Sequence, residues 1–274
     1  MPELIKTGHW FQIFKYAVYV LLAVNTGYFL YENLTGSAVV FRGGLRWQDV
    51  IIAFTDTIDT ASWLILLLVL ELETYVIPDR LLRGRVKWLL IAIGAVCSLF
   101  ILYAVYGYWQ TLGLPQGFAS FSGDDVCALL GGDSFTVYRG FDDYPPLTID
   151  NCGRFEGTPA YLNEALGIFA SDADLSNLRR LAWTDVVNAA VWVLVVISLQ
   201  IEVWHQASGR IGTTMAAGYK WLKMTLYAVL LVAVVYWLYL GEPWYAWDAA
   251  LWLVAFFFIE LNVLEWRAQT GSQT

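Results

Sequence analysis

Charge is what this sequence has least of. Asp, Glu, Lys and Arg together make up 15% of its 274 residues, against 58% hydrophobic residues and a mean hydropathy of +0.55. A soluble globule carries nearer a quarter charged residues, so that class is excluded and a membrane protein is expected. Histidine occurs twice, as His9 and His205, both near the expected inner boundary and without a convergent Cys/His/Glu cluster at metal-ligand spacing, which speaks against a bis-histidine haem or a metal centre. No G-x-S-x-G, H-E-x-x-H or G-x-x-x-x-G-K-[ST] run appears, and no basic tract could follow a nucleic-acid backbone. The chain is therefore expected to be no enzyme, with no catalytic residues, metal, cofactor or nucleic-acid partner.

Apolar runs are abundant. Five segments, about 12–32, 86–108, 181–204, 218–240 and 244–266, have the roughly 20 residues needed to cross about 30 Å of hydrocarbon. A sixth, about 50–77, is interrupted by Asp56, Asp59, Glu71 and Glu73 yet is otherwise apolar. The first run has no small-residue cleavage site after it, so it is expected to remain as a span. Six transmembrane helices follow. The short segment "RLLRGRVK" holds Arg80, Arg83, Arg85 and Lys87 between the second and third, and such loops stay on the cytoplasmic side. Both termini are then cytoplasmic, in a multi-pass protein of the cell (inner) membrane. The expected organisation is 1–110 (first hairpin and third helix), an extracytoplasmic insert at 111–180, and 181–274 (helices four to six).

The insert gathers ten of the 24 acidic residues of a chain whose net charge is −8. It also holds Cys127 and Cys152, which an oxidising compartment would join in a disulfide; Cys97, within the third helix, is a packing residue. "GTPAYLNEALG" has Thr158 as an N-cap, Pro159 in first helical position and a closing Gly167, which predicts a short helix. "SGDDVC" and "GFDDYPP" lack the D-x-[DN]-x-[DN]-G spacing of a calcium loop and read as solvated surface. Asn33-Leu34-Thr35 matches a glycosylation sequon, close to the membrane.

The even-numbered helices align without gaps as "DTASWLILLLVLELE" (59–73), "NAAVWVLVVISLQIE" (188–202) and "DAALWLVAFFFIELN" (248–262). Four residues before Trp63, Trp192 and Trp252 stand Asp59, Asn188 and Asp248; eight after come Glu71, Gln200 and Glu260; ten after come Glu73, Glu202 and Asn262. The odd-numbered helices carry Lys15, Lys87 and Lys223 and, thirteen residues on, "YFLY", "FILY" and "YWLY". The unit is a helical hairpin used three times, in pseudo-threefold order. On an α-helix the tryptophan column and the columns four before and ten after share one face.

Two functional readings follow. In the first, Asp59, Asn188 and Asp248 form one polar ring and Glu73, Glu202 and Asn262 another, about a path for a small cation or proton. Glu71, Gln200 and Glu260 then pair with Lys15, Lys87 and Lys223. In the second, the chain is a non-catalytic membrane subunit or assembly protein whose polar residues join helices, with the tryptophans as interface anchors. The partners expected are the lipid bilayer and either a protein docked on the insert or another copy of this chain. "DTIDT" puts Asp56 and Asp59 on one face, but the third hairpin has Tyr245 where the first has Asp56 and the second Asp185, so this pair lies outside the full pattern.

Overall fold

The computed structural model describes residues 9–41, 44, 46–78, 81, 83–123, 125–130, 135–140, 142–207 and 213–271. Arg80, Asp124 and the side chains of His9, Glu260 and Asn262, all singled out above, lie outside the described residues. The protein is 77% helical. Its helices are α1 (His9–Val40), α2 (Val50–Ala53), α3 (Thr55–Glu71), α4 (Arg85–Thr111), α5 (Ile149–Cys152), α6 (Asp172–Ala207), α7 (Thr213–Leu240) and α8 (Pro243–Gly271). Among the described residues, four segments are long and apolar enough to cross a membrane: Gln12–Val40, Arg85–Gly117, Asp172–Glu202 and Ala217–Leu240. The chain divides into two compact units, one of residues 27–189 and one of residues 1–26 with 190–274.

In the unit 27–189, α3 packs along α4. Leu90, Cys97, Ile101 and Ala104 form the buried stripe of α4, at the helical spacing that one packed face requires. Many of its other side chains are large, apolar and exposed, including Leu89, Leu99 and Leu102, the covering that a bilayer accepts and water does not. Trp88 is 72% exposed near one end of α4 and Trp109 56% exposed near the other. Their 21-residue separation amounts to about 31 Å of helix, which matches the hydrocarbon thickness with a tryptophan at each boundary. Past Glu71, α3 continues as a π-helical turn, Leu72–Val76, which ends ahead of Pro78.

The insert between α4 and α6 contains a four-stranded sheet: β1 (Ala119–Ser120), β2 (Thr136–Val137), β3 (Ala160–Asn163) and β4 (Ile168–Ser171), in the order β1-β3-β4-β2. Its β1–β3 and β3–β4 pairs are antiparallel and β2–β4 is parallel. Phe169 is fully buried at the centre, with Phe121 and Phe135 set edge-on at 5.2 and 5.4 Å. The expected disulfide is present, Cys127 to Cys152, across a Cα separation of 5.2 Å. A second cluster of Tyr138, Ile168, Ala170 and Leu178 takes in Val39 from the end of α1, so the insert is seated directly on that helix.

The helix expected at 158–167 is instead the hairpin of β3 and β4. Burying Ile168, Phe169 and Ala170 between neighbouring strands removes more apolar surface from water than one short helix could, and this outweighs the capping signals. Asn163 makes the turn: its side-chain oxygen accepts from the Leu166 N–H at 3.2 Å and its carbonyl from the Gly167 N–H at 2.7 Å. The insert also ends earlier than residue 180. Ser171 and Asp174 cap α6 reciprocally, the Ser171 Oγ accepting the Asp174 N–H at 3.2 Å and the Asp174 carboxylate the Ser171 N–H at 2.8 Å.

In the other unit, α7 packs along α8. The turn between them is a Schellman motif: Gly241, at φ +91°, donates to the Leu238 carbonyl and Glu242 donates at 2.9 Å to that of Trp237. Pro243 then starts α8 where no N–H is needed. Trp192 and Trp252 are buried here, with Trp192 4.5 Å from Phe256 and Trp252 6.5 Å from it. They are packing residues, not the interface anchors of the second sequence reading; the exposed aromatics of α4 hold the boundary positions.

Candidate functional site

The proposed path residues are held in separate contacts. Asp59 accepts a hydrogen bond from the Tyr108 hydroxyl at 3.2 Å, and Asp248 accepts one from the Asn25 amide at 3.1 Å. Glu202 pairs with Lys223, Oε2 to Nζ 3.1 Å. Asn188 turns a buried Oδ1 inward, with no hydrogen-bond partner among the described residues. Glu73 lies in the π-helical turn, where an α-helical wheel no longer gives its direction. Asp59 and Asn188 belong to one unit and Asp248 and Glu202 to the other, so neither unit by itself holds a ring of three. Of the proposed pairing residues, Glu71 and Lys15 are buried, Lys15 with its ammonium 5.0 Å from the Tyr16 ring centre, whereas Lys87 and Gln200 are exposed.

Within the unit 27–189, four parts of the chain bring acids together at the insert end of the helices. The centre is Asn33 on α1, 2% exposed. Its amide nitrogen donates to Asp142 Oδ2 at 2.7 Å and, more weakly, to Asp56 Oδ2 at 3.4 Å. Its oxygen accepts from the Thr57 hydroxyl at 2.7 Å and from the Thr57 backbone N–H at 3.2 Å. Asn33 thereby caps the first turn of α3, for which Phe54, at the N-cap, supplies no side-chain bond. Next to it, Glu32 accepts from the Tyr28 hydroxyl at 2.7 Å while its other oxygen is buried without a hydrogen-bond partner among the described residues.

Tyr108 of α4 reaches the same cluster from the other side. Besides bonding Asp59, its hydroxyl lies in the field of Asp56 and of Asp185, a buried acid on α6. Trp109 adjoins it toward the end of the apolar segment Arg85–Gly117, so the cluster lies near the end of that segment and not at its middle. Gly107 makes the approach of α4 to α3 feasible, because a Cβ there would stand 2.5 Å from Thr55 Oγ1.

Asp142 arrives from the insert. It sits at the tip of a tight hairpin held by the Val137 N–H to Pro145 carbonyl bond at 2.9 Å and the Arg139 N–H to Asp143 carbonyl bond at 3.1 Å. Its φ is +51°, a left-handed conformation that aspartate tolerates better than most residues. A Cβ on Gly36 would stand 2.6 Å from Asp142 Oδ1, so only glycine on α1 leaves room for this tip. Burial pushes the Asp142 carboxyl up to about 7, helped by the charges of Asp56 and Glu32 and opposed by the Asn33 hydrogen bond. Burial, with the charges of Asp142 and Asp143, likewise raises the Tyr144 hydroxyl.

Asp59 apart, the cluster escapes the threefold pattern. Asn33, Asp142, Glu32 and Tyr108 have no counterpart in the aligned segments, and Asp56 and Asp185 occupy one column in two of the three. The available signal was that both stand seven residues before a tryptophan. The sequon match at Asn33 is no glycan site: its side chain is buried and engaged on both its nitrogen and its oxygen. Among the described residues, no three His, Cys, Asp or Glu side chains are arranged to hold a metal ion. Protein-family models, curated proteins and solved structures were compared with the chain, and none matches it.

Proposed function

We propose that this chain is a membrane protein that takes up protons at the cluster of Glu32, Asp56, Asp59, Asp142 and Asp185 and conducts them or couples them to the movement of another small cation. In this reading the chain has six spans, as three related hairpins, with both termini in the cytoplasm of a cell (inner-membrane) location and the insert outside. The observation that carries it is the joining of carboxylates from different elements through Asn33 and the Tyr108 hydroxyl. Carboxylates crowded at a low-dielectric boundary do not all ionise together, so they share protons, and hydroxyl and amide groups between them offer hydrogen-bonded steps. The buried oxygen of Asn188, one helical turn from Asp185 on α6, gives the direction in which such a chain would continue.

The test is proton flux into vesicles reconstituted with the protein under an imposed potential. Asp56→Asn together with Asp59→Asn should lower flux at least tenfold while leaving the protein folded, since amides keep the hydrogen bonds and remove like charges. Wild-type vesicles no more permeable than protein-free ones would overturn the reading. That outcome would favour the second one, a membrane subunit whose insert docks a partner. Asn25–Asp248 and Lys223–Glu202 support it, each being the kind of helix-to-helix bond that serves packing alone.

A further inference from the structure

The insert touches the carboxylate cluster through one hairpin tip, and every feature of that contact is specialised. Gly36 is cut away to admit Asp142, the Asp142 backbone is left-handed, and the seat is an asparagine whose other bonds hold α3 in place. We propose that the 139–146 hairpin is a proton-operated latch, seated on α1 through Asn33 while Asp142 is protonated and released when Asp142 ionises against Asp56 and Glu32. The proposal deepens the proton reading and rests on it for its purpose: a latch at the mouth would set access to the cluster according to the pH outside.

The acids facing Asp142 all push the same way. From α1 comes Glu32, bonded to Tyr28; from α3, Asp56; from the hairpin itself, Asp143, which is tied to Arg139, and Tyr144. Tyr108, Asp59 and Asp185 lie beyond Asp56. Asn33 donates to either form of the carboxyl and more strongly to the ionised one, so it offsets part of this push while burial and the neighbouring acids outweigh it. The carboxyl rises from an ordinary 3.8 to about 7 when seated, so the seated state binds the proton more tightly. Seating is then firmest below about pH 4, weakens about tenfold per pH unit up to about pH 7, and levels off above, a fall on the order of a thousandfold.

Amide hydrogen exchange on the full chain in lipid nanodiscs reads this directly. After correction for intrinsic rates, protection of the amides of 137–144 should fall about tenfold per unit between pH 5 and 7, while the disulfide-bearing stretch 148–156 stays level. Asp142→Asn should remain protected and lose the slope, because the amide still accepts from Asn33 and a left-handed φ suits it. Gly36→Leu should be unprotected at every pH. A level wild-type profile, or the same slope in Asp142→Asn, would overturn the latch. A slope in a protein that passes no protons would leave the latch standing and remove the transport reading; flux without a slope would do the reverse.

Discussion

Asn33→Leu isolates the residue that ties three elements together. The native amide has four contacts, three of them at 3.2 Å or less. Leucine has the same branched skeleton of four heavy atoms, so no cavity is created and the loss is chiefly of hydrogen bonds. The Thr57 hydroxyl can turn to a carbonyl of its own helix and costs little. The Thr57 N–H and the Asp142 carboxyl have no such substitute, and each stripped group costs about 1–3 kcal/mol. With two such groups the sum is about 2–6 kcal/mol. Equilibrium unfolding in mixed micelles, followed by the fluorescence of the 14 tryptophans, measures it. Asn33→Asp sharpens the test: it keeps the cap on Thr57 but sets a third carboxylate against Asp56 and Asp142, so it should be worse than leucine at pH 8 and better at pH 5. A loss below about 0.5 kcal/mol for Asn33→Leu, typical of an unremarkable surface position, would refute the role given to this residue.

Removing the Cys127–Cys152 bridge by serine substitution frees a loop whose ends are 25 residues apart. This should cost the insert about 3–4 kcal/mol, seen as easier proteolysis of 115–170. Expression in a glycosylating host should leave Asn33 without added sugar mass; a glycosylated, folded protein would contradict its burial. Lys223→Met should destabilise by about 2–4 kcal/mol by stranding Glu202, whereas Lys223→Met with Glu202→Leu should recover most of the loss, as measured by unfolding.

Four of the six expected spans and the disulfide were legible because each rests on a one-dimensional signal: twenty apolar residues in a row, or two cysteines in one segment. The ends of helices were less so. Ser171 and Asp174 start α6 well before its apolar run begins, a cap that hydropathy does not register. The β3–β4 hairpin was misread because Thr158, Pro159 and Gly167 are good helix punctuation, and only the presence of β1 and β2 on either side makes strands the better burial. The acid cluster was hidden for a different reason. Asn33, Asp142 and Tyr108 are far apart in sequence and come from elements of different kinds, so no period connects them; Asp142 in particular sat in a stretch that reads as ordinary acidic surface. Asp59 was found because the alignment on tryptophans pointed to it, and its partner Tyr108 was not.

The seating of the insert on Val39 has a consequence for how this chain tolerates change in length. Loops absorb insertions and deletions by adjusting their slack, but α1 runs unbroken from Asn33 to Val39. Losing a single residue there would turn the seat by about 100° and lower it by about 1.5 Å, parting Tyr138 and Leu178 from their support. Gaining seven would restore the direction while raising the sheet by about 10 Å. Indels in this stretch should therefore be graded by helical phase and not by size, a rule more familiar from the spacing of binding sites along a duplex than from the outer segments of membrane proteins.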